Sequence, residues 1–538
     1  MSKHVYPGAP WTQIRRAALF ILVALSLSCT RSEEKIRNLI ILIGDGMGPQ
    51  QIGLALAYAR YAGSPAVKDR RLAIERIMRE GTTGLALTSP EDFLVADSAA
   101  SGTQIATGRS SRPGMIGVDS DGNPADTILE KARRSGRSAG LVSDTRITHA
   151  TPASFAAHRP VRTMENEIAG DLLESGAEVL LSGGLRHWLP DNAGDASSET
   201  HMLLRKSIPP HLALRSARRD RRNLIQEAQK KGYEAVFERK GLLRSSSPKL
   251  LGLFAESEMP DAIRVSRSRA ERGRAIPTLA EMTEKALEVL SRNEKGFFLM
   301  VEAGQIDYAC HHSDAGRLLH EMLVFDETLE RIYQWARGRS DTLVVVIADH
   351  ETGGFAFSYS RYNIPSGMKL PGKAFQGREY MPMNNYVSPS VLDRLHAQRK
   401  SFNDIRMEFD ALPPGLRTPG NFARIFNEAV EFKISARQAG VILAMENAPP
   451  GVTARGKRIY RLPRINDFKE FYMASGESRN NLMGRAIARD QSVVWSTGSH
   501  TASPVMLVAW GPEKHACRFR GVHHTTEVHD LMVEALGL

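Results

Sequence analysis

Cysteine is scarce in this sequence. Cys29, Cys310 and Cys517 are the three in 538 residues, too few for a disulfide framework. Apolar runs long enough to make a polytopic membrane protein are missing. With 42% hydrophobic and 24% charged residues, the composition also excludes wholesale disorder and collagen-like repeats. No internal repeat or low-complexity tract occurs. Nor is there a dense Lys/Arg run interleaved with aromatics, or another nucleic-acid-binding motif. What the chain does have is length, enough for two to four domains or for one large α/β domain with insertions. It also carries a formal charge of +11. That excess is local: residues 356–495 hold 21 Lys+Arg against 12 Asp+Glu. Such a segment reads first as a solvated basic surface, and second as a patch for an anionic polymer or membrane.

The first 28 residues read as an export signal. Lys3, Arg15 and Arg16 precede the short apolar stretch from Ala17 to Ser28, which is too short to span a bilayer comfortably. The stretch ends at Cys29, where a bacterial lipoprotein signal places its lipid-modified cysteine. Ordinary cleavage and an uncleaved anchor are the alternatives, since Leu25 stands one place too early for the usual lipoprotein pattern. The expectation is an exported protein of the periplasm or cell surface, attached to the membrane through a lipid on Cys29.

Further along, continuous apolar runs end in small or acidic residues. Arg37 to Ile43 leads into Gly44-Asp45-Gly46-Met47-Gly48, and Ser138 to Val142 into Ser143-Asp144. Gly296 to Val301 leads into Glu302, and Thr342 to Ala348 into Asp349-His350. A late run, Val505 to Trp510, precedes a closing helix over Thr525 to Leu536. Unbroken apolar runs are the pattern of strands covered on both faces. Helices expected at 49–60, 124–135, 275–293 and 313–338 separate them. The alternation predicts a doubly wound, mostly parallel central sheet with helices on both faces, in one catalytic domain over 37–537. Residues 190–275 and 356–495 break the rhythm and read as two insertions at the carboxyl edge of the sheet.

Ligands of open α/β sheets bind outside the carboxyl ends of the strands. Asp45, Glu302, Asp349 and His350 each follow a strand directly, so one site can collect all four. An acid and an imidazole buried together point to a metal. Asp307 and His311, four residues apart, share one face of a helical turn and can hold a cation. Ser98, in Asp97-Ser98-Ala99-Ala100-Ser101, opens a probable helix, where backbone N–H groups favour an anion. A serine hydroxyl needs activation, and without a Gly-x-Ser-x-Gly elbow around Ser98 a metal is the better activator.

These segments resemble the alkaline phosphatase family. The resemblance rests on Gly44-Asp45-Gly46-Met47-Gly48, Asp97-Ser98-Ala99-Ala100-Ser101, His149-Ala150-Thr151-Pro152, Glu302 through Asp307 to His311, Asp349-His350 and Gly498-Ser499-His500-Thr501. It covers roughly 37–180, 275–355 and 495–537, in the family's order and spacing. It implies hydrolysis of small phosphate monoesters to an alcohol and inorganic phosphate, through a phosphoserine on Ser98. Two zinc ions are implied, one on Asp307, His311 and His500, the other on Asp45, Asp349 and His350. A magnesium ion is implied on Glu302 and Thr151 with Asp45 shared. Arg162, eleven residues after Thr151, stands at the spacing of the family's phosphate-gripping arginine. The resemblance also implies a homodimer. His149 departs from it, because many bacterial members carry Asp there and an imidazole suits magnesium poorly. Tyr308 also departs, standing where others have a cationic or imidazole side chain. Cys310 reads as a packed core thiol, and His158, His312 and His320 as structural.

Overall fold

Asn38–Gly44 forms strand β1, in which all seven residues are buried. Successive side chains of a strand point to opposite faces, so this strand is covered on both sides. It lies near the middle of a ten-stranded sheet in a computed structural model of the chain. The structure describes residues 35–446 except 270 and 272, the pairs 451–452 and 458–459, and residues 478–538. The signal segment and Cys29 lie outside the described residues, as does much of 447–477. Among the described residues no helix is long and apolar enough to cross a membrane.

The other strands of the large sheet are β2 (Thr82–Leu87), β3 (Ser138–Arg146), β4 (Val179–Gly183), β5 (Glu234–Val236), β6 (Leu250–Leu253), β7 (Phe297–Ala303), β8 (Thr342–Ile347), β9 (Val505–Trp510) and β10 (Gly521–His524). Their spatial order is β10-β2-β9-β8-β1-β7-β3-β4-β6-β5. Every pairing is parallel except those of β9, which runs antiparallel to β2 and β8. The sheet is thus mostly parallel, with helices packed around it. Some helices start with reciprocal capping boxes, as Thr127 forms with Glu130 and Thr278 with Glu281. The 22-residue helix Ala315–Ala336 is the longest of those described.

Register fixes where chemistry can gather. Ile43 of β1 pairs with Glu302 of β7 and with Ile347 of β8, and Ser143 of β3 also pairs with Glu302. The four central strands therefore end at one level, and the residues following them share one crevice.

The reading of 190–275 as an insertion needs correction in part. Glu234–Val236 and Leu250–Leu253 are the outer strands of the main sheet, and Asp261 caps a helix over Ala262–Ser268. Strands of three and four residues inside a polar, basic context are too short for periodicity to reveal. The described residues of 356–495 instead form short ribbons and helices, among them Phe402–Asp410 and Pro419–Ala429. These two pack through Phe409 against Phe422, with ring centroids 5.0 Å apart.

The turn after β1 depends on glycine. Gly46 has φ 72°, and a Cβ there would stand 2.9 Å from both the Cα of Asp307 and the Oγ1 of Thr352. Gly46→Ala should therefore cost about 1–2 kcal/mol from the left-handed backbone alone, and also displace Asp307. Denaturant midpoints of parent and variant would measure the loss. Equal midpoints would mean that the turn relaxes without strain.

Candidate active site

Three clusters of metal-capable side chains lie at the carboxyl edge of β1, β3, β7 and β8. They are Asp307, His311 and His500; Asp45, Asp349 and His350; and Asp45, His149 and Glu302. Within each, one ligand atom per residue lies within 4.8 Å of the others. Asp45, Glu302, Asp349 and His350 are fully buried. Asp45 follows β1, Asp349 and His350 follow β8, and Glu302 lies in β7, one residue before its end. Asp307 and His311 lie on the helix Gln305–His311, which the Asp144 carboxylate positions by accepting from Gly304 N at 2.7 Å. His500 arrives from far along the chain. Its short strand pairs antiparallel with Glu351–Thr352, the residues directly after His350. This ribbon brings the two ends of the 356–495 segment together.

Hydrogen bonds fix which ring nitrogens face the site. The Nδ1 of His311 donates to the Gly498 carbonyl and that of His500 to the Ala96 carbonyl, each at 2.8 Å. A carbonyl can only accept, so each ring, when neutral, carries its proton on Nδ1 and its lone pair on Nε2. The two Nε2 atoms nevertheless face each other at 3.2 Å. Thr352 Oγ1 donates to Asp307 Oδ1 at 2.6 Å, so it accepts from His350 Nδ1 at 3.2 Å. That leaves the His350 Nε2 lone pair aimed at Asp349 Oδ2, 3.2 Å away, and Asp45 Oδ1, 3.5 Å away. Lone pairs crowded against lone pairs and carboxylates repel unless a cation lies among them. Hydrogen bonds from the far side of each ring are how proteins orient imidazole ligands.

The buried oxygens give the same indication. Among the described residues, both carboxylate oxygens of Asp45, Glu302 Oε1, Asp349 Oδ2 and the Thr151 hydroxyl have no hydrogen-bond partner. Unpaired buried carboxylates are costly, and burial with three neighbouring acids (Asp349, Asp307 and Glu302) pushes the Asp45 carboxyl well above its usual range. Burial and Asp307 push Asp349 up to about 7. For Asp307 burial also opposes the charge, and only protonated forms of His311, His500 and His350 would hold the carboxyl well below its ordinary value. Burial, reinforced by His500, pushes His350 well down, so the ring is a neutral ligand donor. The donor set fits the implied metals: mixed carboxylate and imidazole in the first two clusters suits zinc, and the oxygens of Asp45, Thr151 and Glu302 suit magnesium.

Ser98 is the first residue of the helix Ser98–Thr107. Asp97 caps that helix by accepting from Ala100 N at 3.0 Å. The Ser98 Oγ lies 3.2 Å from His350 Nε2, at the side of the second cluster. Arg162 spans the approach. One terminal nitrogen donates to Asp97 Oδ2 at 3.2 Å and the other to His149 Nε2 at 3.1 Å. Because guanidinium only donates, His149 accepts at Nε2 and, when neutral, carries its proton on Nδ1. That N–H points toward Glu302 Oε1, 3.5 Å away, and Asp45 Oδ2, 4.0 Å away. His149 thus borders the third cluster with a proton rather than a lone pair.

Asp45, Ser98, His149, Arg162, Glu302, Asp307, His311, Asp349, His350 and His500 lie together here, and Thr151 follows His149 by two residues. Two partners were not singled out: Thr352, two residues past His350, and the carboxylate of Asp97 as the anchor of Arg162. Ser143 and Thr145 also escaped notice, although both donate to Glu302 Oε2. Cys310 is buried, 3.7 Å from Gln51 Nε2, and burial raises its thiol pKa well above the ordinary value. His158 bridges Gly117 and Glu130, His312 lies beside Arg317, and His320 bonds the His396 carbonyl, all with partners outside the three clusters.

The arrangement has counterparts in known proteins. Residues 36–411 match the family model described as alkaline phosphatase. Alkaline phosphatase 3 of Bacillus subtilis is 35% identical over 333 residues, which are 60% of this chain and 63% of that protein. The aligned region thus spans less than two thirds of that relative's length. The alkaline phosphatase of Escherichia coli K12 is 33% identical over 59% of this chain and 71% of its own. The crystal structure of Thermus thermophilus alkaline phosphatase superimposes with a TM-score of 0.72 and 30% identity, covering 94% of this chain and 92% of that one. A cold-active alkaline phosphatase from Shewanella gives 0.66 and 27%, over 93% and 99%. With a family model matched from the first strand through Asp349 and His350, this chain belongs to the alkaline phosphatase family.

Proposed function

We propose that the protein hydrolyses small phosphate monoesters to an alcohol and inorganic phosphate. The reaction runs through a phosphoserine on Ser98, at a site built for two zinc ions and one magnesium ion. The observation that carries this reading is the position of Ser98. A buried hydroxyl at a helix amino terminus touches His350, beside two clusters whose imidazole lone pairs converge. Asp307, His311 and His500 would hold one zinc, and Asp45, Asp349 and His350 the other. Glu302 and Thr151, with Asp45, would hold magnesium. When bound, such ions lower the pKa of an oxygen nucleophile and neutralise charge on the oxygens of a transferring phosphoryl group.

The chain's own residues do the rest. The Ser98 oxygen attacks phosphorus, its P–O bond forms as the ester P–O bond breaks, and the alkoxide leaves and takes a proton as the alcohol. Water then attacks the phosphoserine, releasing inorganic phosphate and restoring the hydroxyl. The backbone N–H groups that open the Ser98–Thr107 helix favour the anionic group. Arg162 uses one N–H on Asp97 and one on His149, and its remaining donors can grip two phosphate oxygens in a geometry that lysine lacks. Asp97 thus sets the angle of the guanidinium while capping the nucleophile's own helix. The amino-terminal pattern supports export to the periplasm or cell surface with a lipid on Cys29, and family membership supports a homodimer.

Ser98→Ala should lower turnover of a chromogenic phosphomonoester by roughly 10²-fold or more while leaving metal content unchanged. Parent-like turnover would remove Ser98 from the role of nucleophile. His500→Ala and Asp349→Ala should each lose about one zinc per chain, because a cation on three protein ligands keeps little affinity with two. Mass spectrometry of the metals in purified variants decides, and full zinc in both would contradict the assignment. His149→Asp should tighten magnesium binding, by exchanging an N–H that faces Glu302 for a carboxylate that holds the ion's hydration shell. Magnesium titrations of metal-depleted parent and variant, with zinc held constant, would show the shift. Superimposable curves would place His149 outside the magnesium site.

A further inference from the structure

We infer that Phe93, Leu94 and Val95 form a subsite for the leaving group, one that selects phosphate esters of apolar alcohols. The inference rests on the phosphomonoesterase reading above and names its substrate class. It starts from an anomaly of exposure. Leu94 is 79% exposed, Phe93 53% and Val95 44%, three consecutive apolar side chains in solvent three to five residues before Ser98. Scattered single apolar residues on a surface need no explanation, whereas a contiguous run beside a reactive centre does.

The run is held open at both ends. At the near end, Asp92 takes a positive φ of 61° and pairs with Arg112 at 2.6 Å, while Glu91 N donates to the Ser111 carbonyl at 3.0 Å. At the far end, the Ala96 carbonyl accepts from His500 Nδ1 at 2.8 Å. The Asp97 carboxylate accepts from Gly114 N at 3.1 Å and from Arg162 at 3.2 Å. Turning the three side chains inward would break one of these ties. Val161, 40% exposed, adds an apolar residue from another segment. Its neighbour Arg162 is tied to the same Gly114, donating from its backbone N to the glycine carbonyl at 2.7 Å.

The direction of the reaction places the alcohol here. Ser98 contacts His350. In an in-line displacement the leaving oxygen departs on the side opposite the attacking one, toward the cluster that contains His500. His500 is the ring held by Ala96, and consecutive Cα atoms are about 3.8 Å apart, so Val95 and Leu94 begin within one and two residues of that exit. An alkyl or aryl group leaving there meets apolar surface, and each methylene it buries is worth roughly 0.8 kcal/mol, or about fourfold. A sugar or other hydroxylated alcohol would gain nothing from these contacts.

Homologous alkyl phosphates provide the test, because ethyl and hexyl phosphate have leaving groups of nearly equal basicity. For the metal-loaded parent, kcat/KM should be about tenfold or more higher for hexyl than for ethyl phosphate. Leu94→Ser and Phe93→Ser should each cut that ratio severalfold, with ethyl phosphate hydrolysis unchanged. Leu94 is so exposed that the first variant is expected to fold as the parent does. A parent ratio near one would overturn the subsite, as would a ratio untouched by both substitutions or equal losses on both esters. A changed sedimentation coefficient with an unchanged ratio would also overturn it, and would assign the loop to a protein contact. If folded, metal-loaded parent turns over neither ester, the phosphomonoesterase reading fails instead. The subsite is then decided by the dissociation constants of hexyl and ethyl phosphonate in parent and Leu94→Ser. Preference for the hexyl compound, lost in the variant, would support the subsite, and equal binding would overturn it.

Discussion

Four carboxylates buried at one edge of a sheet are the constraint that organises this molecule. Asp45, Glu302, Asp307 and Asp349 stand together with almost no exposure. Their mutual repulsion in a medium of low polarity is opposed only in part by neighbouring imidazoles. Hydrophobic packing cannot offset such a cluster, and protonation could relieve it only by giving up the charges. The three groups of converging donors indicate another compensation, by cations.

The surroundings serve that cluster by removing orientational freedom. Backbone carbonyls of Ala96 and Gly498 and the hydroxyl of Thr352 each take one proton from a ring, which leaves the other nitrogen facing inward. Each of these partners comes from a different part of the chain, so the orientation of the histidines depends on the whole sheet being assembled. The same economy links Ser98 and Arg162. Asp97 caps the helix that begins with Ser98 and also holds Arg162, so a shift in either would be felt by the other. The Arg162 donor to His149 extends the link to the third cluster, and it decides that this ring offers a proton there rather than a lone pair.

The long polar and basic segments meet this centre in different ways. Within 190–275, β5 and β6 widen the sheet at the end remote from the clustered acids and histidines. Residues 356–495 leave the sheet just after His350 and return just before His500. The ribbon of Glu351–Thr352 with His500–Thr501 closes that excursion, so its length is irrelevant to the geometry of the ligands. A functional centre can therefore tolerate a large insertion between two of its members, provided the entry and exit are paired.

The strands β1, β3, β7, β8 and β9 were legible in the sequence because each is an unbroken apolar run. Their acids were legible because parallel strands put carboxyl ends on one edge. The i, i+4 relation of Asp307 and His311 was likewise local geometry, and the family resemblance supplied His500, which no periodicity could connect to His350. Strands β5 and β6 were not legible, since a few residues in a polar context carry no pattern and gain their burial only from the neighbouring strands. The tautomers of His311, His350 and His500 were equally hidden. They are set by which carbonyl or hydroxyl lies behind each ring, and the sequence places those partners as far as 404 residues away, as for Ala96 and His500. Sequence alone determined which groups could do chemistry and on which edge they would stand. Tertiary structure decided how each group is turned and protonated, because hydrogen bonding acts through space between segments that the chain keeps far apart.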